Sequence, residues 1–323
     1  MGKTYPKVLV TRRLPGVSLD EPAGKVVLAA PPPDAPMPPD ELLRLAPGAA
    51  GILCTLADRI DARLMDAAGP SLKVVSNFAV GVNNVDIGEA SRRGIRVCNT
   101  PDVLTQATAD LGFALLLAAA RKFSDAERAL RAGKFEGWDP WGFLGVPVYG
   151  KTLGIVGLGK IGCAIAVRAK GFGMRVLYNN RSPVPPDREK ILSVEYRGLD
   201  DLLAESDFVV LCLPLTPETR GLIGKERLSR MKRTAVLVNI ARGEVVDEEG
   251  LAQALSEGRI FAAGLDVYER EPLVHPSLLA APSAVLLPHI GSATSETRER
   301  MGRLAAANLL AVLSGAEPFS PVN

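Results

Sequence analysis

Between Leu153 and Tyr178 the chain reads LGIVGLGKIGCAIAVRAKGFGMRVLY, and this stretch limits the fold more than any other. An apolar run, Leu153 to Val156, meets Gly157-Leu158-Gly159-Lys160-Ile161-Gly162 without a spacer. A helical pattern then runs from about Lys160 to Phe172, and a second apolar run covers Arg175 to Tyr178. A G-x-G-x-x-G set after a strand and opening a helix predicts a βαβ unit that cradles a pyrophosphate. Each glycine has its own task. Gly157 permits the tight turn, Gly159 lets the backbone approach the phosphates, and Gly162 lets helix and strand pack closely. The unpaired N–H groups at the helix start supply donors and partial positive charge. Residues 157–162 are therefore expected to bind a dinucleotide.

With 323 residues the chain has room for two ordinary cores. Its 47% hydrophobic and 23% charged residues are those of a globular protein, and a net charge of +2 gives no reason to expect nucleic acid or an anionic membrane. The start, MGKTYPKVLVTRR, lacks a signal-peptide core, and the longest apolar run, Leu111 to Ala120, is about half a membrane span. The expected location is the cytoplasm. Cys54, Cys98, Cys163 and Cys212 stand far apart in apolar surroundings, which predicts core packing and neither a disulfide framework nor a metal site. Histidine is scarce: only His275 and His289 are available.

In chain order, short β-rich runs at Lys7–Thr11, Lys25–Ala29, Gly51–Thr55, Lys73–Asn77 and Ile95–Cys98 alternate with helical patterns at Asp40–Leu45, Asp61–Ala68 and Asp86–Arg93. Such alternation predicts a parallel, doubly wound sheet. Asn99-Thr100-Pro101 breaks the pattern, and one long helix is expected from Leu104 to Arg131. Both tryptophans, Trp138 and Trp141, fall in the following loop, Gly133 to Tyr149, where an interface or pocket wall is as good a reading as simple anchoring. After the glycine turn, strands are expected at Phe208–Leu213, Ala235–Ile240, Ala262–Val267 and Val285–Leu287, with helices at Leu199–Glu205, Asp247–Glu257 and Thr294–Ser314. The fold class is α/β with two doubly wound parallel-sheet domains. Residues 101–288 form the dinucleotide-binding domain, set between the two parts of a substrate domain, 1–100 and 289–323. A small-molecule site is expected in the cleft between them.

Active groups of such sheets collect beyond the carboxyl ends of strands. Arg242, Glu271 and His289 each follow an apolar strand. Reduction of a carbonyl by a nicotinamide needs a proton donor and a fixed cation. Histidine, with an ordinary pKa of about 6.5, suits the first task, and a neighbouring carboxylate favours its charged form. The arginine fork suits the second, gripping a carboxylate with two hydrogen bonds. His275, in LVHPSLL, is expected to face solvent.

NIARGEVVDEEGL, LDVYEREPL and LLPHIGSAT resemble three signature segments of the D-2-hydroxyacid dehydrogenase family, and FAVGVNNVDIGEASRRGIRVCNTPDVLTQATADLGFALLLAAAR resembles its hinge and long helix. The likeness runs from about Ser76 to Thr294. It implies a Rossmann domain inserted into a flavodoxin-like substrate domain. It also implies that His289 donates the proton, Glu271 tunes it and Arg242 binds the substrate's carboxylate and carbonyl. Val80 and Gly81 would offer backbone N–H groups to that carboxylate. Asp266 and Ser292 would lie near the nicotinamide, and Thr108, Leu213, Pro214, Thr219, Ile240 and Ala241 would line the cofactor site. Formate dehydrogenases of this superfamily carry glutamine in place of the glutamate, so Glu271 argues against that activity.

An NAD enzyme places an acid at the end of the second strand for the ribose 2′-hydroxyl. Here the chain reads Asn179-Asn180-Arg181-Ser182. A carboxylate about 4 Å from a 2′-phosphate charge would repel it by about 4 kcal/mol at an effective dielectric of about 20. Asn180, Arg181 and Ser182 avoid that and offer donors, so NADPH is expected, with NADH the weaker cofactor. Within the family, NNRS and the GW-x-P-W loop are similar to glyoxylate/hydroxypyruvate reductases, which reduce glyoxylate to glycolate and hydroxypyruvate to D-glycerate. That likeness also implies a homodimer in which Trp141 or Trp138 reaches the partner's substrate. The alternatives are a phosphoglycerate dehydrogenase, another member such as a D-lactate dehydrogenase, or a non-enzymatic NAD(H)-sensing co-repressor.

Overall fold

The computed structural model describes residues 5–19, 26–281 and 283–323, which divide into two compact units. Residues to Leu104 together with Ser292–Asn323 form the first unit, and Thr105–Gly291 form the second. The first opens with β1 (Lys7–Val10), β2 (Val27–Leu28), α1 (Pro39–Leu45), β3 (Ala49–Cys54), α2 (Ala62–Ala68), β4 (Val74–Asn77), α3 (Ile87–Arg92) and β5 (Arg96–Cys98). Lys25, expected to begin the second strand, lies outside the described residues. Aspartates start two helices as their side chains dictate: Asp61 accepts the Leu64 N–H and Asp86 the Glu89 N–H. The strands pair in parallel in the order β2-β1-β3-β4-β5.

The second unit contains α4 (Thr105–Ala120), α5 (Phe123–Arg131), β6 (Thr152–Val156), α6 (Lys160–Lys170), β7 (Arg175–Asn179), α7 (Pro186–Leu192), β8 (Val194–Tyr196), α8 (Leu199–Glu205), β9 (Phe208–Leu211), α9 (Lys225–Arg230), β10 (Val236–Asn239), α10 (Glu248–Ser256), β11 (Ala262–Leu265), α11 (Pro276–Ala280) and β12 (Ala284–Leu286). All seven strands run parallel in the order β12-β11-β10-β9-β6-β7-β8. The order reverses at β6, between β9 and β7, the switch point beyond which sheets of this kind bind ligands. The glycine turn sits directly after β6. Central strands such as FVVL in β9 are buried throughout, as a sheet covered on both faces requires.

The single helix expected over 104–131 is two helices. Lys122 takes a left-handed φ of 52° and separates α4 from α5. The cause is tertiary. Phe113, Leu116 and Ala120 of α4 are buried in the core, whereas α5 buries no residue. The Val146 N–H then takes the Ala120 carbonyl at 2.9 Å, and Gly145 passes so close that an added Cβ would lie 2.3 Å from that oxygen. The returning chain thus ends α4.

The chain closes the first unit with α12 (Ser295–Leu313), capped by Thr294, whose side chain accepts the Thr297 N–H. It packs on β3, β4 and β5, and Ser76 Oγ donates to the Ala305 carbonyl at 2.8 Å. Gly302 allows the Leu14–Val17 turn to lie on the helix: a Cβ there would come within 1.8 Å of the Pro15 carbonyl oxygen. Among the described residues no helix is long and apolar enough to cross a membrane.

Candidate active site

The three glycines of the turn after β6 meet three different surroundings. Gly157 has φ 99°, and a Cβ on it would strike the Cys212 carbonyl group at 2.8 Å. At Gly162 an added Cβ would lie 2.3 Å from the Gly157 carbonyl oxygen, so α6 seats against β6 only without a side chain. Gly159 is the exception. Among the described residues, no heavy atom beyond its immediate chain neighbours lies within 4 Å of its Cβ position, so the fold itself does not require glycine there. A ligand pressed against the backbone would, which fits a pyrophosphate at the start of α6.

Beyond β7, the Asn180 Oδ1 accepts the Leu158 N–H of this turn at 2.7 Å, which orients the amide and leaves both of its N–H donors available. Arg181 and Ser182 are exposed. Their loop is fixed from below by Tyr178, a fully buried residue whose hydroxyl donates to Glu189 at 2.6 Å and accepts the Val184 N–H at 2.8 Å. Burial, then the bond to Glu189, pushes the phenol up to about 12. Neither Tyr178's role nor that of the Asn180 oxygen shows in residue spacing, because both act across a turn.

The turn after β10 carries Arg242. Buried Asn239 shapes it, accepting the Ala241 N–H at 3.0 Å and donating to the Arg242 carbonyl at 2.9 Å. The Arg242 side chain donates to the Ala241 carbonyl at 2.6 Å. Burial lowers its pKa, opposed by the charges of Glu271 and Glu244. Gly243 brings this turn onto the next loop: a Cβ on it would lie 1.8 Å from the Tyr268 carbonyl carbon.

Tyr268 ties that loop to the end of β12. Its N–H donates to Glu271 Oε1 at 3.1 Å and its hydroxyl to the Leu287 carbonyl at 2.9 Å. Glu248 at the start of α10 is buried and accepts the Glu269 N–H at 2.6 Å. Two residues past Leu287, His289 holds a left-handed φ of 55°, uncommon for any residue but glycine. Asp266, 2% exposed, fixes that conformation by accepting the Ile290 N–H at 2.7 Å and the Gly291 N–H at 2.8 Å. Burial raises the Asp266 pKa against these two bonds and the His289 charge.

His289 Nδ1 and Glu271 Oε2 are 2.8 Å apart. Burial alone would raise the Glu271 pKa, but the His289 hydrogen bond and charge, the Tyr268 N–H and the Arg242 charge outweigh it and hold the carboxyl below its ordinary value. The sign follows directly. The contact is complete above the usual carboxylate range and is lost only as pH falls through the depressed value. An ionised carboxylate only accepts, so Nδ1 carries the hydrogen and Nε2 is the nitrogen left for a substrate.

Arg242, Glu271 and His289, expected from sequence to act together, are thus interlocked by short loops of the second unit. Gly291 brings Thr108 and Asp266 together, with a Cβ position 3.4 Å from the threonine methyl and 3.2 Å from the carboxylate. Leu213 and Pro214 follow β9, where Thr219 Oγ1 donates to the Pro214 carbonyl at 2.8 Å. Ile240 and Ala241 are buried between Asn239 and Arg242. Val80, Gly81 and Ser292 belong to the first unit. Trp138 and Trp141 are 87% and 80% exposed. His275 caps α11, its Nδ1 accepting the Ser277 N–H at 3.3 Å, so its task is local.

A dinucleotide cradle at a switch point, with an acid–base pair beyond strands of the same parallel sheet, defines the class: an oxidoreductase that works with a nicotinamide cofactor. Residues 113–291 match the family described as D-isomer specific 2-hydroxyacid dehydrogenase, NAD binding domain. A glyoxylate reductase of Thermococcus kodakarensis is 50% identical over 98% of this chain and 96% of its own length. The human glyoxylate reductase/hydroxypyruvate reductase is 46% identical over 97% of this chain and 96% of its own. The NADPH-dependent glyoxylate/hydroxypyruvate reductase of Sinorhizobium meliloti, solved with NADP and malonate, superposes with a TM-score of 0.83 at 35% identity, covering 99% of this chain and 97% of that one. The chain belongs to the D-isomer-specific 2-hydroxyacid dehydrogenase family.

Proposed function

We propose that the protein is an NADPH-dependent reductase of small 2-oxo acids, converting glyoxylate to glycolate and hydroxypyruvate to D-glycerate. The observation that carries the reading is the 2.8 Å contact between His289 and an ionised Glu271 beside the Arg242 charge. It is a proton donor whose ring is held by a carboxylate, next to a cation for an acid substrate. The names of the Thermococcus and human relatives supply the substrates.

The nicotinamide, when bound, supplies the hydride to the carbonyl carbon. His289 delivers the matching proton from Nε2 to the carbonyl oxygen, and Glu271 holds the ring and offsets its positive charge. Arg242 grips the substrate's carboxylate and polarises its carbonyl. Val80 and Gly81 add backbone donors to the carboxylate. Gly157, Gly159 and Gly162 admit the pyrophosphate. Thr108, Leu213, Pro214, Thr219, Ile240, Ala241, Asp266 and Ser292 line the rest of the cofactor site.

Cofactor choice rests on Asn180, Arg181 and Ser182. The Asn180 oxygen accepts the Leu158 N–H, so the amide's N–H donors are left for a phosphate, and residues 179–182 contain no acid. The Sinorhizobium relative, solved with NADP, supports the same choice. Phe123, Leu130, Phe135, Trp138, Trp141 and Phe143 are exposed apolar side chains that a second copy would cover in a homodimer, with Trp141 entering the partner subunit's substrate site.

Initial rates with glyoxylate, hydroxypyruvate, pyruvate and 3-phosphohydroxypyruvate, each with NADPH and NADH, test the reading. The first two substrates with NADPH should give the highest kcat/KM, at least about tenfold above NADH, the effect of about 1.4 kcal/mol. A tenfold advantage for NADH overturns the cofactor choice. Preference for pyruvate or 3-phosphohydroxypyruvate points to a lactate or phosphoglycerate dehydrogenase, and no turnover with any of the four to a co-repressor.

A further inference from the structure

In the first unit, three successive carbonyls of the loop after β4 are tied down. The Ala79 carbonyl accepts the Thr100 N–H at 2.8 Å, the Val80 carbonyl accepts Asn99 Nδ2 at 2.8 Å, and the Gly81 carbonyl accepts Asn77 Nδ2 at 2.9 Å. With all three carbonyls engaged, the N–H groups of Val80 and Gly81 have no partner among the described residues. Asn77 is itself locked, sharing hydrogen bonds with Asn84, which donates to the Thr55 and Asp58 carbonyls at 3.0 Å. Asn99 is held differently, by the other end of the chain.

Its N–H donates to the Ser320 carbonyl at 3.2 Å, and its carbonyl accepts Asn308 Nδ2 at 3.1 Å and Ser320 Oγ at 2.7 Å. Asn308 on α12 is fully buried, with a second N–H on Ser320 Oγ at 2.8 Å. Its oxygen accepts the N–H groups of Phe319 and Ser320 at 2.9 and 3.1 Å. Both of its donors and both acceptor positions are used, so no other orientation of the amide satisfies the site. The last residues then run along β5: the Val322 N–H donates to the Val97 carbonyl at 2.8 Å, and Asn323 Oδ1 accepts the Val97 N–H at 2.8 Å. Arg96 completes the attachment with a bond to the Asn323 carbonyl.

We infer that residues 319–323, through Asn308 and Asn99, form a strut that sets the two free amides of Val80 and Gly81 for the substrate's carboxylate. Asn99, Asn308 and Ser320 are positioning residues: they touch neither substrate nor cofactor and act through the Val80 peptide. The inference rests on the proposed binding of a 2-oxo acid carboxylate at those amides. The physical reason is the cost of ordering. A loop whose carbonyls are fixed offers preformed donors, whereas a slack one loses conformational freedom each time substrate binds.

The full chain carrying Asn99→Ala keeps the backbone contacts to Ser320 and loses only the grip on Val80. KM for glyoxylate and the inhibition constant of oxalate, a dicarboxylate without a reducible carbonyl, should rise together by roughly tenfold. With it, kcat should stay within about twofold and NADPH affinity should not change. Ser320→Ala, a milder change, should move both constants in the same direction by about threefold. If the two variants lower Tm but leave KM and the oxalate constant unmoved, the strut is structural only and the inference is overturned. A wild-type protein that neither reduces glyoxylate nor binds oxalate overturns the functional reading, and this inference with it. A wild-type protein that does both, beside unmoved variants, overturns the inference alone.

Discussion

His289→Ala is expected to lower kcat for glyoxylate reduction by roughly 10²–10⁴-fold, the usual worth of a positioned general acid, with KM kept within a few-fold. The split follows from where the proton moves. The Nε2 hydrogen is transferred in the transition state, so its loss weakens that state more than the bound substrate. His289 offers little else to the fold. Its ring contacts Glu271, and its unusual backbone is held by Asp266 through the next two N–H groups, not by its own side chain. The variant should therefore fold with an unchanged Tm, and steady-state rates with NADPH check the effect directly. Near-normal turnover at neutral pH would remove His289 from the mechanism.

Arg242→Ala should be at least as damaging, but in both constants. Two hydrogen bonds between charged groups contribute about 1.5–3 kcal/mol each, so kcat/KM should fall by roughly 10²–10⁴-fold, shared between a raised KM and a lowered kcat. One further effect adds to it. The guanidinium is one of the charges that keep Glu271 ionised, so its removal also weakens the hold on His289. Arg242→Lys restores the charge but not the planar fork, and should recover only a small part of the rate. The Asn239 bond to the Arg242 carbonyl does not involve the side chain, so the turn should persist in either variant. A normal KM for glyoxylate in Arg242→Ala would show that the carboxylate is held elsewhere.

Much of this was written in local sequence. The βαβ unit follows from three glycines whose spacing matches three steric demands, and the parallel sheets from strands that are apolar on both faces. Asp61 and Asp86 announce their helices because a cap acts on an N–H three residues away. Arg242, Glu271 and His289 could be picked out because each follows an apolar strand. What stayed hidden acts across the chain. Nothing near Lys122 marks the end of α4, because the stop comes from residues 145–146. Asn239, Tyr178 and Asp266 look like ordinary strand-end residues, and only the fold shows them holding the turns that carry Arg242, Arg181 and His289. The same holds for α7, β8 and α9, short elements of mixed composition whose order comes from packing on neighbours that periodicity does not display.

The stereochemistry of the product tests the central claim most directly. With hydroxypyruvate and NADPH, the protein should form D-glycerate and consume one NADPH for each molecule made, resolved by chiral chromatography of the quenched reaction. Formation of L-glycerate, or no glycerate while the folded protein still binds NADPH, would contradict it.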